Sequence, residues 1–309
     1  MARVLVGDVG ATNVRLAAFE NRVLVAKHVA PARSFEVMLK SFLKQHGPFR
    51  AAVFGAAGPV VHGKVRLTNA RLTLDETALG RLLKCKVRLL NDVEAAAYGL
   101  ARLTPRDVVP LARASESANS VLIIPGTGLG EAIIHDGHVF ASEGGHADFA
   151  PRTAVEWDLK RFLHDTKEDT SVEAILSGRG LLALYDFLKH EQFAQQDERV
   201  RDAIREQGPR AITEAALRHD PLSVGAVELF VDVLAGEAQR LALTARGGVY
   251  LAGNIVRHVL PELKRRFLRR FLNSPMRLEH MPVFVVLDED LTLHGAEIIA
   301  REFSAYAQR

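Results

Sequence analysis

Cysteine is almost missing from this chain: Cys85 is the only one in 309 residues. An internal disulfide and a cysteine-rich zinc site are therefore excluded. Long hydrophobic runs are missing as well, since no stretch approaches ~18 uninterrupted apolar residues. The opening residues, MARVLVGDVGATN, hold no apolar run closed by small residues. The expectation is a cytoplasmic protein with no membrane partner. Neither sign of charge prevails, with 40 basic residues against 37 acidic ones. The basic run Lys264-Arg265-Arg266 with Arg269-Arg270 reads as the wet face of a helix whose Leu263, Phe267 and Phe271 point inward, so no nucleic-acid partner is expected. Two catalytic signatures are also absent. No Gly-Lys-Ser/Thr ending marks a P-loop, and no Gly-x-Ser-x-Gly elbow marks an acyl-transfer hydrolase. What remains is ample: 48% hydrophobic and 25% charged residues support a large core and two domains.

One stretch organises the rest, VLIIPGTGLGEAIIHDGHVFASEGGHADFAP at 121–151. A short apolar strand enters a turn with glycine at 126, 128 and 130, and a second apolar strand leaves it. Alternate glycines let the chain fold tightly and bring backbone N–H groups close to a ligand, for which a phosphate is the natural choice. About fifteen residues on, Glu143 and His146 flank Gly144-Gly145, a carboxylate and an imidazole that make a second, polar site. Phosphoryl transfer to a small polar molecule is the chemistry these two features suggest.

The remaining segments fit an α/β chain. Residues 4–6, 14–19 and 23–28 read as strands, with the turn Gly7–Asn13 between the first two. That makes a hairpin rather than the strand-to-helix turn of a dinucleotide fingerprint. A helix is expected over 35–45 with Ser34 as its cap, then a strand at 51–54, a helix at 74–83 and a strand at 87–90. The last of these ends in Asn91-Asp92, a carboxylate at the carboxyl end of a strand, where α/β sheets bind ligands. Asp92 is equally suited to capping the helix expected from residue 93. A domain crossing is placed near 99–120. Trp157 reads as core or interface, and 224–245 is the longest helical pattern, with Val227, Phe230, Val231, Leu234, Ala238 and Leu241 on one face. A strand at 249–252 leads into Gly253-Asn254. The strand–glycine turn–strand pattern of 7–13 recurs at 126–131, and two such hairpins suit a polyphosphate.

These segments together resemble the bacterial glucokinases of the hexokinase–actin superfold. GDVGATNVRLA is similar to the family's first phosphate motif and GTGLG to its second. LTN, LLNDVEAAAYG, SEGGHADFAP and EAILSGRGL resemble its sugar and catalytic segments, and YLAGNIV its adenosine motif. The resemblance implies a two-domain actin/hexokinase-like (ribonuclease H-like) α/β fold with an interdomain cleft. A small domain of 1–96 plus 291–309 would accompany a larger α+β domain of 97–290. It further implies ATP-dependent phosphorylation of glucose at its 6-hydroxyl, with Asp92 as general base. Asn69, Asn91, Asp92, Glu143, His146 and Glu173 would bind the sugar. Asp8, Gly10, Ala11, Thr12, Asn13, Gly126, Thr127, Gly128, Gly253 and Asn254 would surround ATP, with Mg²⁺ reached from Asp8 through water. A homodimer is implied too. The alternatives are a kinase for another hexose or an amino sugar, and a sugar-sensing regulator without turnover. The chain departs from the family at Ala11 and at Asn254, where glycine is usual; asparagine is expected to tolerate a left-handed backbone there.

Overall fold

The computed structural model describes residues 3–67, 72–114 and 118–305, and the chain divides into two compact units. The first comprises Met1–Thr104 with Asp290–Arg309, the second Pro105–Glu289. The division falls at 104/105 rather than 96/97, which keeps the helix Asp92–Gly99 whole.

In the first unit the strands are β1 (Arg3–Val9), β2 (Asn13–Glu20), β3 (Val23–Pro31), β4 (Ala51–Ala56), β5 (Lys64–Leu67), β6 (Leu72–Asp75) and β7 (Lys86–Asn91). Five of them form a sheet in the order β3-β2-β1-β4-β7, while β5 and β6 pair separately. β1 and β2 are an antiparallel hairpin, and β4 and β7 continue the sheet in parallel. Period-2 alternation sends successive residues to opposite faces. Leu5, Val9, Leu16 and Phe54 join Phe35, Leu39 and Phe42 of the helix Phe35–His46 on one face. Val4, Val6, Phe19 and Val53 join Leu293, Ala296 and Ile299 of the helix Leu291–Ala305 on the other. A sheet covered on both sides explains why β1 is apolar almost throughout.

Two caps differ from expectation. Ser34 occupies the cap position of Phe35–His46 but makes no side-chain bond, because a 3₁₀ turn over Ala32–Ser34 already delivers the chain into the helix. The next helix begins at Glu76, two residues later than its pattern suggests, since Leu72–Asp75 pairs with β5 and Asp75 caps through the Ala78 N–H.

The second unit holds β8 (Val108–Ala112), β9 (Ser120–Pro125), β10 (Leu129–His135), β11 (His138–Ser142), β12 (Gly248–Leu251) and β13 (Val283–Val286), in the order β11-β10-β9-β12-β13-β8. Its first five strands repeat the plan of the other sheet: an antiparallel three-strand meander, then two parallel strands. β8 is an addition that the Pro-bearing 99–120 segment did not suggest; it closes the edge antiparallel to β13. The helix Pro221–Ala245 buries Val227, Phe230, Val231, Leu234, Ala238 and Leu241, as its spacing indicates. Trp157 is 60% exposed and is therefore not core. The basic run is less wet than its sequence implies. Leu263, Phe267 and Phe271 do point inward, but Arg266 pairs with Glu228 and Asp232, and Arg270 pairs with the buried Glu156. Among the described residues no helix is long and apolar enough to cross a membrane.

Candidate active site

The first unit presents a hairpin turn at the end of β1 and a strand-to-helix junction at the end of β7, the two strands that flank β4. In the β1–β2 hairpin Val9 lies opposite Val14, and the turn is closed by the Gly10 N–H donating to the Asn13 carbonyl at 3.0 Å. Thr12 and Asn13 are exposed there, while Gly10 and Ala11 are half-buried. Asp8, one residue before the end of β1, lies opposite Arg15, whose guanidinium is 3.4 Å from its carboxylate. Burial pushes the Asp8 carboxyl up from 3.8 to about 6. Arg15 works against that rise, Asp92 and Asp290 add to it, and Lys27 opposes it.

β7 ends in Asn91, and the helix Asp92–Gly99 follows at once. The capping role falls to Asn91 and not to Asp92. Asn91 Oδ1 accepts from the Val93 and Glu94 N–H groups at 2.9 and 3.2 Å, and its amide donates to the Gly58 carbonyl at 3.3 Å. Asp92 is the first helical residue, with Oδ1 3.0 Å from the Val93 nitrogen. This unit therefore groups Asp8, Asn91 and Asp92 with Asp290, which Lys27 holds through both oxygens at 2.5 and 2.7 Å. Asn69 lies outside the described residues.

In the second unit the turn Gly126-Thr127-Gly128 joins β9 to β10, closed by the Gly126 N–H on the Gly128 carbonyl at 2.8 Å. The helix Gly178–His190 docks on this turn, its Gly178 N–H donating to the Gly126 carbonyl at 2.8 Å. Glu173 ties this turn to the 143–146 segment. Its Oε2 accepts the Leu129 N–H at 2.8 Å, and its own N–H donates to the Gly145 carbonyl at 2.8 Å. Glu143 and His146 sit at the two ends of a 3₁₀ turn, 3.5 Å apart and mostly exposed, whereas the Glu173 side chain is 15% exposed. Turn, pair and glutamate thus form one hydrogen-bonded assembly, although the sequence spreads them from 126 to 173.

At the end of β12 the left-handed residue is Gly253 and not Asn254. Gly253 has φ +99°, and a Cβ there would lie 2.9 Å from the Pro125 carbonyl oxygen, so both conformation and space require glycine. Asn254 is the first residue of the helix Asn254–His258, and its side-chain oxygen accepts from Arg257. The expectation of a left-handed Asn254 is thereby corrected: its neighbour already makes the turn.

A glucokinase family model matches residues 5–303. A curated glucokinase from Nostoc punctiforme is 34% identical over 97% of this chain and 99% of its own. The chain belongs to the glucokinase family. Its reaction is the phosphorylation of a sugar. Among solved structures, a glucokinase from an Antarctic psychrotroph superposes with a TM-score of 0.82 at 24% identity, covering 98% of this chain and 99% of that one. A ROK family glucokinase from Streptomyces griseus in complex with glucose and AMPPNP gives 0.72 at 18%, covering 97% and 100%. The fold is that of the actin/hexokinase-like sugar kinases.

For a glucokinase-family chain two groups went unnoticed in the sequence. Arg179 donates to Glu173 Oε1 at 2.8 Å and to Asp169 at 3.3 Å, so it fixes the second oxygen of a candidate sugar ligand. The arginine inside Ser177-Gly178-Arg179-Gly180, an otherwise small-residue turn, was the available signal. Asp290 was the other; it closes the acidic run Asp288-Glu289-Asp290 directly before the helix Leu291–Ala305.

Magnesium is the ion this fold family implies for its nucleotide. Among the described residues no three His, Cys, Asp or Glu side chains converge closely enough to cage an ion. Asp8 offers a single carboxylate whose raised pKa marks a place where positive charge would be welcome. One carboxylate plus water and phosphate oxygens is how Mg²⁺ is commonly held, so the residues present fit it.

Proposed function

We propose that this chain phosphorylates glucose at its 6-hydroxyl with ATP, giving glucose 6-phosphate and ADP, and that Asp92 is the general base. The observation that carries the reading is the division of labour at the end of β7. Asn91 caps the helix, so Asp92 is placed at a strand end without being needed as the cap. A carboxylate there takes the proton of the attacking hydroxyl, while Asn91 and Asn69 help hold the sugar. Glu143, His146 and Glu173 bind the other hydroxyls, each carboxylate accepting from neighbouring O–H groups. The hairpin turns at Gly10–Asn13 and Gly126–Gly128 offer backbone N–H groups to the phosphates, and Gly253-Asn254 approaches the nucleoside. Mg²⁺, which Asp8 would hold through water, supplies positive charge to the phosphate oxygens when bound. Positioning and charge stabilisation are most of what a phosphoryl transferase provides.

Glucose and ATP are favoured as substrates because the Streptomyces griseus neighbour carries glucose and AMPPNP, an ATP analogue. Placement in the cytoplasm is proposed from the lack of long apolar runs, and a homodimer from the family resemblance.

Asp92→Asn is expected to lower kcat at least ~10²-fold while calorimetric glucose affinity stays within about threefold, since the amide keeps the shape but cannot accept the proton. Near-normal turnover would remove Asp92 from the mechanism. A coupled assay across glucose, mannose, fructose and N-acetylated hexoses tests the substrate itself, with glucose expected to give the highest kcat/KM.

A further inference from the structure

Glu131 is the one buried acid in the second unit's phosphate hairpin, and the chemistry above gives it no task. It sits on β10 two residues after Leu129, opposite Ser142 of β11 and Ile123 of β9, and is 1% exposed. Neither carboxylate oxygen accepts a bond from an N–H or hydroxyl donor. The groups facing it are few. Glu237 and Arg240 come from the helix Pro221–Ala245, the Ser142 hydroxyl from β11, and the Gly144 backbone from the turn that carries Glu143 and His146. Arg240 is 3.9 Å from Glu131 but donates to both oxygens of Glu237. Gly144 rests directly on the buried acid: a Cβ there would fall 2.3 Å from Glu131 Oε2. The turn is also tied by the Gly144 N–H to Ser142 Oγ at 2.9 Å, by the Gly145 carbonyl accepting from the Glu173 N–H at 2.8 Å and by the Ala147 carbonyl accepting from the Val172 N–H at 2.9 Å, and Gly145 packs on Leu129.

We propose that Glu131 is a positioning residue for the sugar: its uncharged carboxyl is the floor on which the 143–146 turn rests, and ionising it releases the turn. The proposal rests on the reading of Glu143 and His146 as sugar ligands. Two carboxyl groups within hydrogen-bond reach need a proton between them, because two bare carboxylates repel. Arg240 donates to both oxygens of Glu237 and stays 3.9 Å from Glu131, so Glu131 is the member of the pair without a bonded cation and the one that carries the shared proton toward Glu237. Burial first, and then the Glu237 charge, push the Glu131 carboxyl up to about 8, against the opposing pull of Arg240. A neutral carboxyl tolerates a CαH₂ group against its oxygen. A carboxylate in the same place demands donors or water, and the space it would need is filled by Gly144.

The consequence is a sugar affinity that depends on alkaline pH through a residue that never touches sugar. Each pH unit above the ionisation depopulates the competent form about tenfold, and apparent affinity falls in proportion. Glucose KM of the unaltered protein is therefore expected to rise above about pH 8, approaching tenfold per unit, with kcat within about twofold. Glu131→Gln keeps shape and neutrality, so its KM should stay flat over the same range. Glu237→Gln removes the like charge and can donate to Glu131, so its KM should begin to rise at lower pH than in the unaltered protein. The turn itself is read by amide hydrogen exchange of 143–147 without sugar, comparing the unaltered protein with each variant at the same pH. Faster exchange in the unaltered protein than in Glu131→Gln at alkaline pH supports the proposal. An identical alkaline rise in KM for both proteins, or identical exchange, overturns it. Should Glu131→Gln fail to fold, the comparison with Glu237→Gln decides in the same way, and an unshifted alkaline limb overturns the proposal. Glu143→Ala separates the two readings. If it leaves glucose affinity unchanged, the sugar assignment fails, while the exchange contrast still reports on Glu131.

Discussion

Asp8 carries a negative charge that the folded chain resists. Burial raises its pKa from 3.8 to about 6 against the opposing pull of Arg15, with Asp92 and Asp290 adding to the rise and Lys27 reducing it. The linkage has a definite sign. A carboxyl whose folded pKa lies above its unfolded one favours folding while protonated, and that contribution fades as pH climbs from 3.8 to about 6. Asp8→Asn, neutral at every pH, should therefore be stabilised relative to the unaltered protein by an amount that grows across this window and is constant above it. Thermal melts in the presence of a chelator check this; a difference independent of pH would show that Asp8 ionises without strain. Arg179 and Glu131 make the complementary point at the same scale. Each is ordinary in the sequence, and each becomes informative only through the one group beside it, Glu173 in one case and Gly144 in the other.

At the scale of elements, the helices Asp92–Gly99 and Leu291–Ala305 form the most intimate pairing in the first unit. Their sequences, DVEAAAYG and LTLHGAEIIAREFSA, put small residues where the backbones meet. A Cβ on Gly295 would lie 1.7 Å from the Ala95 carbonyl oxygen, and one on Gly99 would lie 2.2 Å from the Leu291 carbonyl oxygen. Two effects oppose each other in Gly295→Ala. Helix propensity gains up to about 1 kcal/mol, whereas overpacking against a backbone that cannot rotate away costs about 3 kcal/mol or more. The clash wins, so we expect a net loss of about 2 kcal/mol in urea unfolding, together with lower kcat because the same helix begins at Asp92. A stabilised Gly295→Ala variant would mean that the two helices can slide apart freely. The hairpins were easier to read than this pairing. Glycine spacing at 7–13 and 126–131 identified both turns, since turn chemistry is local, whereas the helix that meets Asp92–Gly99 lies two hundred residues downstream.

For the molecule as a whole, the two units differ in how the chain builds them. Pro105–Glu289 is continuous, and its ends are joined by β8 on β13 and by the Leu287 N–H donating to the Asp107 carbonyl at 2.8 Å. The first unit is discontinuous. Without Leu291–Ala305, the face of its sheet bearing Val4, Val6, Phe19 and Val53 loses Leu293, Ala296, Ile299 and Ala300 and keeps only Ala95 and Tyr98 of Asp92–Gly99 as helical cover. Burying a large apolar side chain is worth about 1.5–3 kcal/mol, and several are at stake against a net stability of about 5–15 kcal/mol. A 105–289 fragment should thus unfold cooperatively on its own, while a 1–104 fragment should not fold until a peptide covering 290–309 is added. Circular dichroism with urea titration distinguishes these outcomes, and a cooperatively folded 1–104 would refute the argument.

The sequence by itself determined the class of fold, the two glycine hairpins, most strands and the buried face of the long helix, because period, turn chemistry and composition are properties of neighbours along the chain. It also determined which residue types were candidates for sugar and phosphate, through motifs that stand in order from Asp8 to Asn254. Only the tertiary structure decided between residues equally suited on local grounds. It made Asn91 rather than Asp92 the helix cap, and Gly253 rather than Asn254 the left-handed residue. It exposed Trp157, drew Arg266 and Arg270 into ion pairs, and buried Glu131 beneath Gly144. The physical reason is common to all of these. Burial, charge pairing and backbone clash depend on groups that are distant in sequence, and their energies exceed the local preferences that a linear reading can weigh.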